Sequence, residues 1–199
     1  MKDNISTMVG NVYRQRGFTL IELLLVVVLL SVTATMGAFA YQSVSRKIVV
    51  RSVSESLTDL ITQAKINALT SGDWVALCPV IDTKLTGSLS CLEWDAWSSA
   101  DQAVHWAIFQ DNNRNAAIDR ASDVIEVRSF AQYKGKVTIS ANYSDSSILW
   151  FTRKGQLGGK GGTITIQSIN YPSISRKITI LPVSGRVQNH YVRKETQSP

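Results

Sequence analysis

Gly17-Phe18-Thr19-Leu20-Ile21-Glu22-Leu23-Leu24-Leu25-Val26-Val27-Val28-Leu29-Leu30 is the stretch that decides the fold. Residues 1–17 ahead of it are polar and basic and end in Arg14-Gln15-Arg16-Gly17. Beyond it, apolar and small residues continue through Ala40. From Phe18 to Ala40 the run is long enough to span a bilayer as a helix. The basic residues in front of it predict that this end stays in the cytoplasm and the C-terminus is sent outward.

Glu22 is out of place in that run. A carboxylate in a membrane helix is costly, roughly 2–4 kcal/mol on insertion scales, so it needs a partner. A cut after Gly17 would create one. Phe18 would then carry a free α-amino group, a cation able to neutralise Glu22 of a neighbouring subunit during assembly. Ala38-Phe39-Ala40 also fits the A-x-A cleavage site of an ordinary secretory signal peptide. That alternative leaves Glu22 unexplained.

The string Gly17-Phe18-Thr19-Leu20-Ile21-Glu22 resembles the processing site of type IV pilins and pseudopilins. In that family a prepilin peptidase cuts after the glycine and methylates the new N-terminal residue, commonly phenylalanine. The resemblance implies processing at Gly17 and Phe18 and an assembly role for Glu22. It implies a single-pass subunit of the bacterial inner membrane, its C-terminal domain in the periplasm, which enters an extracellular pilus on assembly. The partners implied are the peptidase, other minor and major pilins, and the inner membrane.

The helical pattern does not stop at the membrane. Val53, Leu57, Leu60, Ile61, Ala64 and Ala68 fit one helical face, while Glu55, Asp59, Thr62 and Lys65 fall largely elsewhere. No proline interrupts residues 18–71, and Ser71-Gly72-Asp73 reads as a stop with Gly72 as a left-handed cap. A helix from Phe18 to Ser71 is about 80 Å long. The expected organisation is a leader over 1–17, a transmembrane or filament-core helix over 18–40, its amphipathic continuation over 41–72, and a β-rich globular domain with a basic tail over 73–199.

After Gly72 short β-like runs replace the helical period: Trp74–Cys78, His105–Phe109, Val124–Phe130, Val137–Ser140, Ile148–Thr152, Thr163–Ser168 and Lys177–Leu181. Gly155 and the run Gly158-Gly159-Lys160-Gly161-Gly162 read as hairpin connections; the run lacks Walker spacing and a following helix. Cys78 and Cys91 allow one intramolecular pairing. They follow a membrane-targeting segment and so face an oxidising compartment, and their spacing is not the C-x-x-C of a redox pair. A disulfide closing so short a loop stabilises by roughly 3 kcal/mol.

Leu77-Cys78-Pro79, Cys91, Trp94, Trp97, Ile108-Phe109-Gln110-Asp111-Asn112-Asn113 and Asp119 then narrow the resemblance to the FimT/GspH group of minor pilins and pseudopilins. Phe151, Gly155, Gly162-Thr163-Ile164, Ile178, Ile180 and Gly185-Arg186-Val187 continue it, so that it covers residues 17 to about 188. It implies an α+β, type IV pilin-like fold, two antiparallel sheets packed beside the long helix.

The candidate chemistry is sparse. Asp111-Asn112-Asn113-Arg114-Asn115 and Asp119 space oxygens as a calcium loop does, but Ala116 and Ser122 stand where such a loop needs glycine and glutamate, so a structural loop is expected. With His105 and His190 the only histidines, nothing calls for zinc or any cofactor. No G-x-S-x-G elbow accompanies the serines, so an enzyme is not expected. The net charge is +6, of which the leader carries +2, leaving +4. Arg176, Lys177, Arg186, Arg193 and Lys194 concentrate cations near the C-terminus, with Tyr171 and Tyr191 nearby. Such a mixture suits a DNA backbone and its bases. Some FimT-type proteins bind DNA for uptake through a G-R-x-R segment; here Gly185-Arg186-Val187 is followed by Gln188. Three readings follow: an assembly subunit at a pilus tip, a DNA receptor of a transformation pilus, and a type II secretion pseudopilin.

Overall fold

The computed structural model describes residues 18–81, 89–93, 105–142 and 148–191, without side chains at 35–40 and 89–90. The chain divides into two compact units, Met1–Gln42 and Ser43–Pro199.

Helix α1 runs Leu20–Ser71. It starts two residues later than the apolar run because Thr19 caps it. The Thr19 hydroxyl accepts the Glu22 N–H at 3.3 Å and its carbonyl accepts the Leu23 N–H at 3.2 Å, which satisfies donors that a helix start leaves open. It ends where glycine was expected to end it. Gly72 has φ +71° and donates its N–H to the Ala68 carbonyl at 3.2 Å.

Within the second unit the predicted stripe, Val53 to Ala68, is fully buried. Ten strands follow it among the described residues: β1 (Val75–Val80), β2 (Leu89–Ser90), β3 (His105–Gln110), β4 (Ala117–Ile118), β5 (Val124–Ser129), β6 (Val137–Ala141), β7 (Leu149–Phe151), β8 (Gly162–Ser168), β9 (Ser175–Ile180) and β10 (Val187–Tyr191). The first sheet has the order β5-β3-β1-β7, the second β10-β9-β8-β6, and β2 and β4 form a small ribbon. All pairings are antiparallel. The main core joins the helix stripe to Leu77, Trp106 and Ile108 of the first sheet and to Ile139, Ile164 and Ile178 of the second.

The inner strand β1 of the first sheet is buried on both faces. Every residue of β1 is buried, because Ala76, Cys78, Val80, Ala107 and Phe109 face a second core under Ile118 of the ribbon. That explains the unbroken apolar sequence of β1, as a strand covered on both sides requires.

Three expectations need correction. The β10 segment is not among the expected strands, yet it is a full strand of the second sheet. Its helix-facing positions are Val187, Asn189 and Tyr191, and the polar Asn189 hid the alternation. The Gly158–Gly162 run is not a hairpin: it carries the chain from β7 in the first sheet to β8 in the second. Gly155 does sit in a tight return, with Phe151 bridged to Leu157. The ribbon went unseen because two-residue strands have no periodicity to detect.

Candidate functional site

At the N-terminal segment the described side chains from Phe18 to Ala34 are all exposed, and Phe18 is 82% exposed. Glu22 therefore stands as an acid among exposed leucines, isoleucine and valines, in the first turn of α1. With Thr19 three residues earlier it completes the T-x-x-E spacing of a capping box, a feature the sequence reading missed although both residues were in view. Gly17 and the leader lie outside the described residues. Among the described residues no helix is long and apolar enough to cross a membrane. The expected span Phe18–Ala40 is described in its side chains only as far as Ala34.

Cys78 and Cys91 form the expected disulfide, with Cα atoms 5.6 Å apart. Cys78 belongs to β1 and Cys91 follows β2. The bond thus ties the ribbon to the buried strand beneath it, helped by the Leu92 N–H donating to the Pro79 carbonyl at 2.9 Å. Trp94 and Trp97 lie outside the described residues.

In the loop after β3, Asp111 is 2% exposed and turned inward. Its Oδ1 accepts the Asn115 N–H at 3.1 Å. Its Oδ2 accepts the Ala116 N–H at 3.2 Å and the Trp150 Nε1–H at 2.7 Å. These bonds hold Arg114 and Ala116 at positive φ, +56° and +62°. Asp119 faces out instead and accepts the side-chain amides of Asn113 and Asn115 at 2.8 and 3.0 Å. The Asn115 bond first, then the Asn113 bond and the nearby Arg120, hold its carboxyl below the ordinary 3.8 against a small opposing effect of burial. The carboxylate lone pairs are thus directed at the loop's own donors. Among the described residues no group of three or more His, Cys, Asp or Glu is arranged to hold a metal ion.

The basic residues do not form one patch. Arg176 pairs with Tyr191 and Lys177 with His190 across β9 and β10. Neighbouring residues of a strand point to opposite faces, so Arg176 lies on the helix side, 5.9 Å over the Tyr191 ring, and Lys177 on the outer side. Arg186 sits in the turn at the far end of the same hairpin, where its N–H meets the Ser184 hydroxyl at 3.2 Å. Four residue steps, roughly 13 Å at 3.3 Å each, lead from Arg176 to Ile180, the last residue of β9 before that turn. Arg193 and Lys194 lie outside the described residues.

Several polar contacts tie the strands to the helix, among them those of Arg128 and Asn189. Arg128 of β5 donates to Asp59 of α1 at 2.8 Å and to Glu126 at 2.5 Å. Burial lowers its pKa, and the bonds from Asp59 and Glu126 more than reverse this, so the net direction is upward. Asn189 accepts from the Ser54 hydroxyl at 2.9 Å and donates to the Thr58 hydroxyl at 3.1 Å.

Residues 53–184, two sheets on a helix stripe, match the family described as type II transport protein GspH. The chain belongs to that family. Residues 13–38 match the prokaryotic N-terminal methylation motif, which brackets Gly17, Phe18 and Glu22. Of solved structures, the type IV minor pilin FimU of Pseudomonas aeruginosa (strain PAO1) matches at 15% identity with a TM-score of 0.51, over 71% of this chain and 87% of that one. The minor pseudopilin EpsH of the Vibrio cholerae type 2 secretion system matches at 11% identity and a TM-score of 0.45, over 71% and 96%. At 15% identity the likeness to FimU speaks to the fold alone. No curated protein matches the chain in sequence. The chain thus joins a GspH-family domain to the prokaryotic N-terminal methylation motif.

Proposed function

We propose that the chain is a structural subunit of a type IV pilus, made with a leader, held in the inner membrane by Phe18–Ala40, and placed in a minor-pilin complex at the pilus tip. A prepilin peptidase removes the leader after Gly17 and methylates Phe18. The new α-amino group of Phe18 pairs with Glu22 of a neighbouring subunit, and the complex primes extension by the major pilin. The observation that carries this reading is Glu22, a lone carboxylate in an exposed apolar segment inside a matched methylation motif. An acid there is unfavourable for a single chain in lipid and favourable once a chain-end cation meets it. Mass spectrometry of the mature N-terminus from native membranes tests it. A methylated Phe18 start is expected; a cut beyond Ala40, or an intact leader, overturns it.

The second reading, a pseudopilin of type II secretion, draws on the family's own description. Deleting the chain separates the two: loss of pili supports the first, loss of secreted enzymes with normal pili the second. The DNA-receptor reading rests on Arg176, Lys177 and Arg186, on two sheet faces and at two ends of a hairpin, together with Arg193 and Lys194. DNA binding that is strongly salt-sensitive and weakened by Arg186→Gln would support it.

A further inference from the structure

The end of the globular unit at which the chain enters it, at Ser43, is cationic. The strand β10 runs back along α1 toward that end. The turn before it sits at Lys65, whose Nζ donates to the Ser184 carbonyl at 2.9 Å. Its middle residue, Asn189, sits at Ser54 and Thr58. Its last residue, Tyr191, pairs with Arg176. Arg176 and Lys177 therefore lie toward the helix residues that begin the unit, among them Arg46 and Lys47. Two more cations join them. The Tyr133 and Ser52 hydroxyls are 2.7 Å apart, which places Lys134 there. The Ile169 N–H donates to the Lys136 carbonyl at 3.2 Å, which places Lys136 beside the β8–β9 turn.

Among the described residues none of these six cations makes an ion pair. The described acid of this end, Glu55, is held by Arg51 at 2.6 Å. Farther along, Asp59 and Glu126 are held by Arg128. Between the cations the surface exposes Ile169, Tyr171 and Tyr191.

From this geometry we infer that this end of the domain docks on the anionic phospholipid headgroups of the membrane that anchors the chain, before the subunit is drawn into a filament. Cations drawn to anionic headgroups and tyrosines that settle at their depth are the chemistry of a peripheral membrane contact. A nucleic acid is less well served. The cations are spread over the helix start, both faces of β9 and the β8–β9 turn rather than lined along one groove. Docking would keep the unit on the membrane until pairing at Glu22 draws the subunit away.

The inference rests on the membrane-anchored reading, and one preparation separates the two. The full chain is placed in lipid nanodiscs of phosphatidylcholine alone, or with about one quarter phosphatidylglycerol added. Retention in either disc tests the anchor. Amide exchange of Ile169 and Ile174, both hydrogen-bonded in the β8–β9 turn region, tests the docking. Exchange about five-fold slower or more in the anionic discs is expected, since one cation near such a surface is worth about that factor. Lys136→Gln with Lys177→Gln should abolish the difference, and Arg153→Gln with Lys160→Gln, outside the cationic end, should leave it. Equal exchange in the two discs, equal loss from both pairs of substitutions, or protection by duplex DNA in phosphatidylcholine discs with no effect of lipid charge overturns the inference.

Discussion

The indole N–H of Trp150 reaches the carboxylate of Asp111 at 2.7 Å, across 39 residues of sequence, and makes the loop after β3 part of the fold. The same carboxylate takes the N–H groups of Asn115 and Ala116. Asp111→Ala would remove all three bonds at this buried carboxylate, and of the three donors the Asn115 N–H keeps a second acceptor, the Asn113 Oδ1 at 3.3 Å. Each such loss is worth about 1–3 kcal/mol and the three are not additive, so about 3 kcal/mol overall is expected. For a unit of this size, that is a fall of roughly 6–12 °C in Tm. Thermal unfolding of the purified chain in mild detergent checks it. Trp150→Phe should fall by about a third as much, since it removes one of the three bonds.

Asp119 gives a dependence on pH. Its folded pKa is depressed, chiefly by the Asn115 amide and then by Asn113. The unfolded carboxyl titrates near the ordinary 3.8, so the stability it contributes is complete above that value and is lost as pH falls through the lower folded pKa. Asn115→Ala should move the Asp119 titration back up toward 3.8, as read by NMR of the carboxyl carbon. A titration unmoved by that substitution would remove Asn115 as the cause.

Gly185 and Gly72 are both at positive φ but stand in different surroundings. A Cβ on Gly185 would lie 2.5 Å from the Gly155 carbonyl oxygen, whereas one on Gly72 would meet nothing within 4 Å. Alanine at Gly72 carries the left-handed backbone penalty alone, roughly 1–2 kcal/mol. At Gly185 it must also displace backbone, so a loss larger by about 1 kcal/mol or more is expected. Equal Tm shifts for the two variants would contradict the close approach of the Gly155 and Gly185 turns.

Those comparisons show what the sequence made legible. The helix stripe was readable because Val53, Leu57, Leu60, Ile61, Ala64 and Ala68 all obey one period, and all six are buried. The stop at Gly72 was readable because only one residue type takes φ +71° without strain. The strand β10 was not, since Asn189 occupies a core-facing position and is satisfied by Ser54 and Thr58, partners more than 130 residues away in sequence. The distribution of cations was unreadable for a similar reason. Arg176 and Lys177 are adjacent in sequence and opposed in space, while Lys136 comes near them only through the sheet. Gly17 and Glu22 are different: their meaning is chemical and local, so a short string carries it.

Glu22 has two possible duties, and one substitution separates them. As the third residue of α1 it donates its N–H to the Thr19 hydroxyl and stands at the capping-box position, a place that glutamine fills as well as glutamate. As the partner of a neighbouring α-amino group it must carry charge, and glutamine does not. Thr19→Ala should weaken the helix start by about 1 kcal/mol and leave entry into pili largely intact. Glu22→Ala loses both duties. Glu22→Gln keeps the cap and loses the charge, so if pairing drives assembly it should be excluded from sheared pili as completely as Glu22→Ala, while both accumulate, leader removed, in the membrane. Quantitative immunoblots of the pilus and membrane fractions give the answer. Incorporation of Glu22→Gln at the level of the unaltered chain would reduce Glu22 to a helix cap and leave the charge-pairing account without support.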